Sequence, residues 1–223
     1  MSEPKSQPIV VTGAAGFLGS VVARHLAEQG HAVVGIDLSP HAPDFSGTFV
    51  GGVDLTDAAA TTAAFAAPVL AGGIAGLASI AGGFRWETVM DGSPDSWDFL
   101  YRINVRTALN AARAAVPLLD GGAIVNVGAA ATLKAGMGMG AYTASKSGVA
   151  RLTEALAEEL KGRVRVNAVL PSILDTPANR ADMGEADAAK WVRPEELAAV
   201  VAFLLSDAAS AVTGACIPVT GRV

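Results

Sequence analysis

The sequence predicts an α/β fold: a single open, doubly wound parallel sheet of about seven strands with helices on both faces. Three observations carry this expectation. Short β-rich runs alternate with longer Ala- and Leu-rich helical stretches along the chain. The short runs are apolar on both faces, as in strands covered by helices on both sides. A glycine-rich turn joins the first run directly to the first helical stretch.

Taken in order, Ile9–Thr12 is the first strand and Gly19–Gln29 the first helix. Ala32–Asp37 and Thr48–Val53 are the next two strands, and Ala58–Leu70 is a helix. Gly76–Ile80 is the fourth strand, followed by a long helix over Ser96–Leu118. Ala123–Val127 is a strand, Ala141–Lys161 a helix and Arg165–Leu170 a strand. Glu195–Ser206 is the last helix and Cys216–Val219 the last strand. Right-handed crossovers between such strands give the doubly wound, or Rossmann, arrangement. No linker, repeat or low-complexity tail divides the chain, so residues 1–223 read as one domain. The long irregular stretch between Pro171 and Pro194 follows the carboxyl end of a strand, where ligands sit in such sheets. It reads as a substrate lid near 172–193 containing a short helix.

Bulk properties narrow the function. The chain has 223 residues, 51% of them hydrophobic, which suits one domain with a full core. Net charge is −5 with both signs scattered, which argues against nucleic acid as a partner. A single cysteine, Cys216, excludes an intrachain disulfide and a thiolate cluster. His25, His31 and His41 have no ligand-like spacing, so no metal is expected. No charge lies between Asp57 and Arg85, but Pro68, Gly72, Gly73 and Gly76 interrupt that stretch. A helix followed by a buried strand explains it better than a membrane span. The polar opening MSEPKSQP has no apolar signal core, so a cytoplasmic protein with no membrane association is expected.

The cofactor end comes first in the chain. Thr12-Gly13-Ala14-Ala15-Gly16-Phe17-Leu18-Gly19 follows the first strand and opens a helix. Glycines there allow a tight turn and let backbone N–H groups approach a pyrophosphate. Asp37 ends the second strand, where a carboxylate can bind ribose hydroxyls of NAD and repel the extra phosphate of NADP. A turn residue before Ser39-Pro40 is the alternative. Asp54, after the third strand, is placed either to meet the adenine or to cap the next helix.

At the chemical end, Tyr142 and Lys146 stand four apart, on one face of a helix. An ammonium near a phenol stabilises tyrosinate and is expected to lower its pKa, fitting it for proton transfer. A packing tyrosine and an exposed lysine are the alternative.

With its surroundings, this pattern resembles the short-chain dehydrogenase/reductase family over essentially the whole chain. The resemblance rests on the Gly-rich turn, Asp37, Asp54, the Ala81-Gly82 turn, Asn104, Asn126, Tyr142 with Lys146, and Asn167, Pro171 and Thr176-Pro177. It implies NAD as cofactor, held by Gly13, Gly16, Phe17, Leu18, Gly19, Asp37, Asp54, Leu55, Ala81, Gly82, Tyr142, Lys146, Pro171 and Thr176. It implies that Asn104 supports a water-linked proton relay beside Tyr142 and Lys146. It also implies a homodimer or homotetramer, and Ala108, Ala111, Ala112, Ala114 and Ala115 would permit close helix pairing.

Three departures stand out. The glycines fall as GxxGxxG, and Ser79 stands where the family commonly has Asn. Most tellingly, the family's catalytic Ser position, thirteen residues before Tyr142, is Ala129. Losing such a donor typically costs about a hundred- to thousandfold in rate. The family's quinoid dihydropteridine reductases also lack the Ser, and the stretch Asp175-Thr-Pro-Ala-Asn179-Arg180 through Met183, Glu185 and Trp191 resembles theirs locally. The expected function is therefore NAD(H)-dependent hydride transfer to a small carbonyl, imine or quinonoid acceptor, including a quinonoid dihydropterin. The alternatives are a general alcohol dehydrogenase or ketone reductase, with Thr132 or backbone groups replacing the Ser, and a non-catalytic NAD-binding sensor.

Overall fold

The computed structural model describes residues 7–223; most of the polar opening, residues 1–6, lies outside the described residues. The strands are β1 (Ile9–Thr12), β2 (Val33–Ile36), β3 (Thr48–Val50), β4 (Ile74–Ser79), β5 (Leu119–Val127), β6 (Arg165–Pro171) and β7 (Cys216–Val219). They form one seven-stranded sheet in the order β3-β2-β1-β4-β5-β6-β7. Every pairing is parallel. The order reverses between β1 and β4, and a crevice at such a switch point is where an open α/β sheet binds ligands.

Two apolar layers cover the sheet, and the alternation along β1 shows how. Val11 packs with Val22 and Leu26 of α1 (Phe17–Glu28) and Leu197, Val201 and Leu204 of α7 (Pro194–Leu205). Val10 points the other way, into a cluster with Phe65 of α2 (Ala58–Phe65) and alanines of α4 (Thr107–Ala115). Both valines are completely buried, as strand residues covered by helices on both sides must be.

The uncharged stretch after Asp57 is α2, a short turn at Pro68–Leu70 and then β4. Asp57 caps α2 by accepting from the Ala60 N–H at 2.8 Å. No helix among the described residues is long and apolar enough to cross a membrane.

The predicted helix over Ser96–Leu118 is more complicated. It runs as α3 (Pro94–Leu100), a π-helical stretch over Tyr101–Arg106, and α4. Such π segments frequently lie at functional sites, and Asn104 sits inside this one. Ala108, Ala111, Ala112 and Ala115 are buried within the protein's own core. Small side chains there bring α4 close to the sheet, so their use lies inside the protomer rather than between helices of two copies. The remaining helices are α5 (Gly140–Glu159) and α6 (Pro177–Met183).

The stretch 172–193 contains α6 and a single turn at Ala188–Lys190. Its two feet meet: Leu174 and Val192 form a bridge, and Asp175 N–H donates to Val192 O at 2.8 Å. Trp191 and Val192 are buried anchors, whereas α6 has no buried residue and Met183 is exposed. Trp191 thus belongs to the foot of this segment and Met183 to its outer part.

Candidate active site

A cavity of about 610 Å³ opens at the switch point. It brings together Gly13, Gly16, Phe17, Leu18, Gly19, Asp37, Asp54, Leu55, Ala81 and Gly82. Tyr142, Lys146, Pro171 and Thr176 do not line it.

Backbone geometry builds this end. Gly13 has φ +66°, and a Cβ there would lie 2.8 Å from Ala81 Cα. A Cβ on Gly19 would lie only 2.0 Å from Gly13 O. Gly16 is the N-cap of α1 and caps it with no side chain, so the first-turn N–H groups stay open to an anion. Across the switch point, Thr12 Oγ1 accepts from the N–H groups of Ile80 (3.1 Å) and Ala81 (3.3 Å), pinning the Ala81-Gly82 turn.

Asp37 acts as the turn residue and also ties two elements together. One carboxylate oxygen accepts from Ser39 N–H at 2.8 Å, as a turn residue would. The other accepts from Ala15 N–H at 2.9 Å, tying the end of β2 to the Gly-rich loop. A carboxylate has about four acceptor sites, so capacity is left for a ribose hydroxyl at the cavity wall. Asp54 lines the cavity too and accepts from Thr56 N–H at 2.8 Å, while the cap of α2 is Asp57. The glycine cradle, the open helix terminus and the second-strand acid fit a dinucleotide.

The chemical end adjoins the cavity at Gly82. A Cβ on Gly82 would lie 2.5 Å from Asn104 Oδ1 and 3.3 Å from Lys146 Nζ. Asn104 is buried and clamps the next residue: Gly83 N–H donates to its Oδ1 at 2.9 Å, and its Nδ2 donates to Gly83 O at 3.1 Å. Its Nδ2 also donates to Ser145 Oγ at 3.0 Å, linking the π segment to α5. In this arrangement its side chain holds the turn beside Lys146.

The electrostatics of the pair overturn one expectation. Tyr142 has its pKa pushed up to about 12, by burial. Lys146, also buried, is pushed down to about 8 for the same reason. Its ammonium donates to Val127 O at 2.8 Å. Among the described residues the Tyr142 hydroxyl has no hydrogen-bond partner, and the Phe84 ring stands nearly perpendicular to it, with centroids 4.9 Å apart. Burial is the cause at both groups, and at Tyr142 it acts in the direction opposite to the one the spacing suggested. The phenol is a firmly protonated acid rather than a phenol tuned toward neutrality.

Ala129 is buried at the head of the turn Ala130–Leu133. Thr132 does not supply the missing hydroxyl, because its Oγ1 donates to Ala129 O at 2.8 Å. On the lid side, Pro171 ends β6 and Thr176 is the N-cap of α6, accepting from Asn179 N–H at 3.1 Å. Arg180 grips Asp175 through two bonds, of 2.6 and 2.9 Å, which holds the Asp175 carboxyl below its ordinary range.

Sequence reasoning missed Ile103 and Thr107, which line the cavity from the π segment and the start of α4. No periodicity announces a π turn. It also missed Phe84 and Trp86, exposed aromatics in a loop with no repeating pattern.

The comparisons with known proteins agree with this geometry. A family model described as enoyl-(acyl carrier protein) reductase matches residues 13–221. The chain is 32% identical to 2-(S)-hydroxypropyl-CoM dehydrogenase 3 of Xanthobacter autotrophicus, over 97% of this chain and 96% of that protein. It is 31% identical to the short-chain dehydrogenase/reductase cdmF of Talaromyces verruculosus, over 95% and 94%. A crystal structure of 3-ketoacyl-(acyl-carrier-protein) reductase from Brucella melitensis, complexed with NADH, superposes with a TM-score of 0.87. That protein is 26% identical, with 97% of this chain and 98% of the other covered.

Proposed function

The chain belongs to the short-chain dehydrogenase/reductase family of oxidoreductases, and within it we propose that it reduces small conjugated carbonyl, imine or quinonoid acceptors with NADH. One observation carries the choice of acceptor: the site holds a protonated phenol but no side-chain hydroxyl at Ala129 to meet a developing oxyanion. An acceptor that is already electrophilic and conjugated, a quinonoid dihydropterin being one, needs the proton more than that donor.

The bound nicotinamide would supply the hydride. Gly13, Gly16 and Gly19 would hold the pyrophosphate, and Asp37 the adenosine ribose; the free carboxylate capacity of Asp37 supports NAD over NADP. Tyr142 gives its proton to the acceptor's oxygen or nitrogen as the hydride arrives, and solvent restores it. Lys146, when protonated, makes the phenol a stronger acid, so reduction is expected to fall as pH rises through about 8. Self-association as a homodimer or homotetramer is part of the proposal.

The test is NADH oxidation over quinonoid dihydropterin, quinones, imines and simple ketones, with wild type and Ala129→Ser. The substitution should raise simple-ketone reduction by about ten- to a hundredfold, at or below the usual worth of one such donor. It should leave quinonoid reduction unchanged or slower. A wild type already as fast on simple ketones would favour an ordinary ketone reductase. Tighter binding of NADPH than NADH would remove the role given to Asp37.

A further inference from the structure

Phe84 is a large apolar side chain left 57% exposed beside the proton donor. Its backbone is not free. Residue 83 is clamped from both sides by Asn104. Beyond it, Trp86 Nε1 donates to Met137 O at 3.1 Å, and Glu87 N–H donates to Gly138 O at 2.9 Å. Gly138 has φ +75°, and a Cβ there would lie 2.1 Å from the Trp86 ring. The loop after β4 is thereby zipped to the loop before Tyr142 by contacts that admit no side chain at 138.

Phe84 hangs between these two anchors. Arg85 is turned aside: its guanidinium lies 4.4 Å from the Phe99 ring centre and donates to Ser96 Oγ at 3.0 Å. The surface beside Tyr142 is therefore aromatic and carries no charge from this residue. A pinned, half-exposed aromatic ring gains most when a flat apolar surface covers it.

We propose that Phe84 is the specificity-determining residue of the acceptor site: its exposed ring is the surface on which a flat, unsaturated acceptor stacks beside Tyr142. The Trp86–Gly138 zip positions that ring. The proposal rests on the reductase reading above and narrows it to planar acceptors. It also shows how an acceptor can be held without a hydroxyl at position 129, by stacking rather than by a bond to its oxygen.

Isatin and N-methylpyruvamide carry the same ketoamide and differ in the flat ring, so together they test the stack. Binding is measured by calorimetry to the intact protein, with and without NAD. Wild type should bind isatin more tightly than N-methylpyruvamide. Phe84→Ala should weaken isatin by about tenfold, Phe84→Trp should keep it, and N-methylpyruvamide and NADH should move less than about twofold. No isatin binding by wild type, unchanged isatin affinity in Phe84→Ala, or equal loss of both ketoamides would overturn the stack. Lost NADH affinity or a changed circular dichroism spectrum would expose a folding defect, and then Phe84→Leu, apolar but not flat, decides in the same way. If isatin binds through Phe84 and no NADH is oxidised, the stack stands and the reductase reading fails.

Discussion

The two ends of the crevice are built from different materials. The cofactor end is made of backbone: glycines where no Cβ fits, an uncapped helix terminus and a turn pinned by Thr12. The acceptor end is made of side chains: buried Lys146, Asn104 and the methyl of Ala129, and a half-buried Tyr142 with Phe84 against the phenol. Backbone geometry is set by local sequence. The chemistry of a side chain is set by what covers it, and its covers come from distant parts of the chain.

The largest effect should come at the acceptor end. Tyr142→Phe should lower kcat by about 10²–10⁴, the usual worth of a positioned general acid. The affinity for NADH should not change, because the cradle does not depend on the phenol. If turnover survives in Tyr142→Phe, the proton comes from another group, and the separation between a binding end and a chemical end breaks down.

That division explains what was legible in the sequence. The strand and helix alternation and the cradle glycines could be read locally, because each is a pattern over a few residues. Ala129 could be read as a missing hydroxyl. The direction of the Tyr142 shift could not. The spacing to Lys146 speaks of attraction, while burial, which decides the outcome, involves covers distant in the chain, such as the Phe84 ring against the phenol. Edges were lost for similar reasons. β5 begins at Leu119 rather than Ala123, because Gly121 and Gly122, with φ of +81° and +77°, look like a turn and yet lie within the strand. The π segment around Asn104 has no signature in a helical pattern.

Lys146 stands beside Gly82 at the edge of the cavity, and its burial is expected to lower stability in return for the role proposed for it. The unfolded chain holds its proton up to the ordinary 10.5, and the folded chain releases it at about 8. Below 8 both states are protonated, and folding bears the whole cost of burying the cation, about 3 kcal/mol at ~1.4 kcal/mol per unit. Between 8 and 10.5 the unfolded chain binds more protons, so stability rises with pH from this group; above 10.5 the cost is gone. Lys146→Met should therefore be more stable than wild type at pH 7, by up to about 3 kcal/mol less the lost bond to Val127 O, and inactive. Urea unfolding at pH 7 and pH 10 checks this: the advantage should shrink at the higher pH. An advantage independent of pH would mean that the ammonium is not desolvated.

The smallest effect should be the most diagnostic of the cofactor end. Gly19 lies in the first turn of α1. Helix propensity alone makes Gly→Ala favourable by about 1 kcal/mol. Sterics oppose it, since the new methyl would sit 2.0 Å from Gly13 O and 2.8 Å from Gly13 C. Both are backbone atoms in a loop already tied to Ala81 and Asp37, so no flexible side chain can swing away. Overpacking of this kind costs about 1–3 kcal/mol, which exceeds the propensity gain. Gly148 in α5 is the control, because the nearest atoms to its methyl would be those of the Val105 side chain, from 2.9 Å, rather than backbone of the cradle. Gly19→Ala should thus weaken NADH binding by about tenfold and lower the melting temperature. Gly148→Ala should leave NADH binding alone. Equal effects at the two glycines would mean that the cradle yields as readily as an ordinary helix contact, and the cofactor end would not be the rigid, backbone-built half of the site.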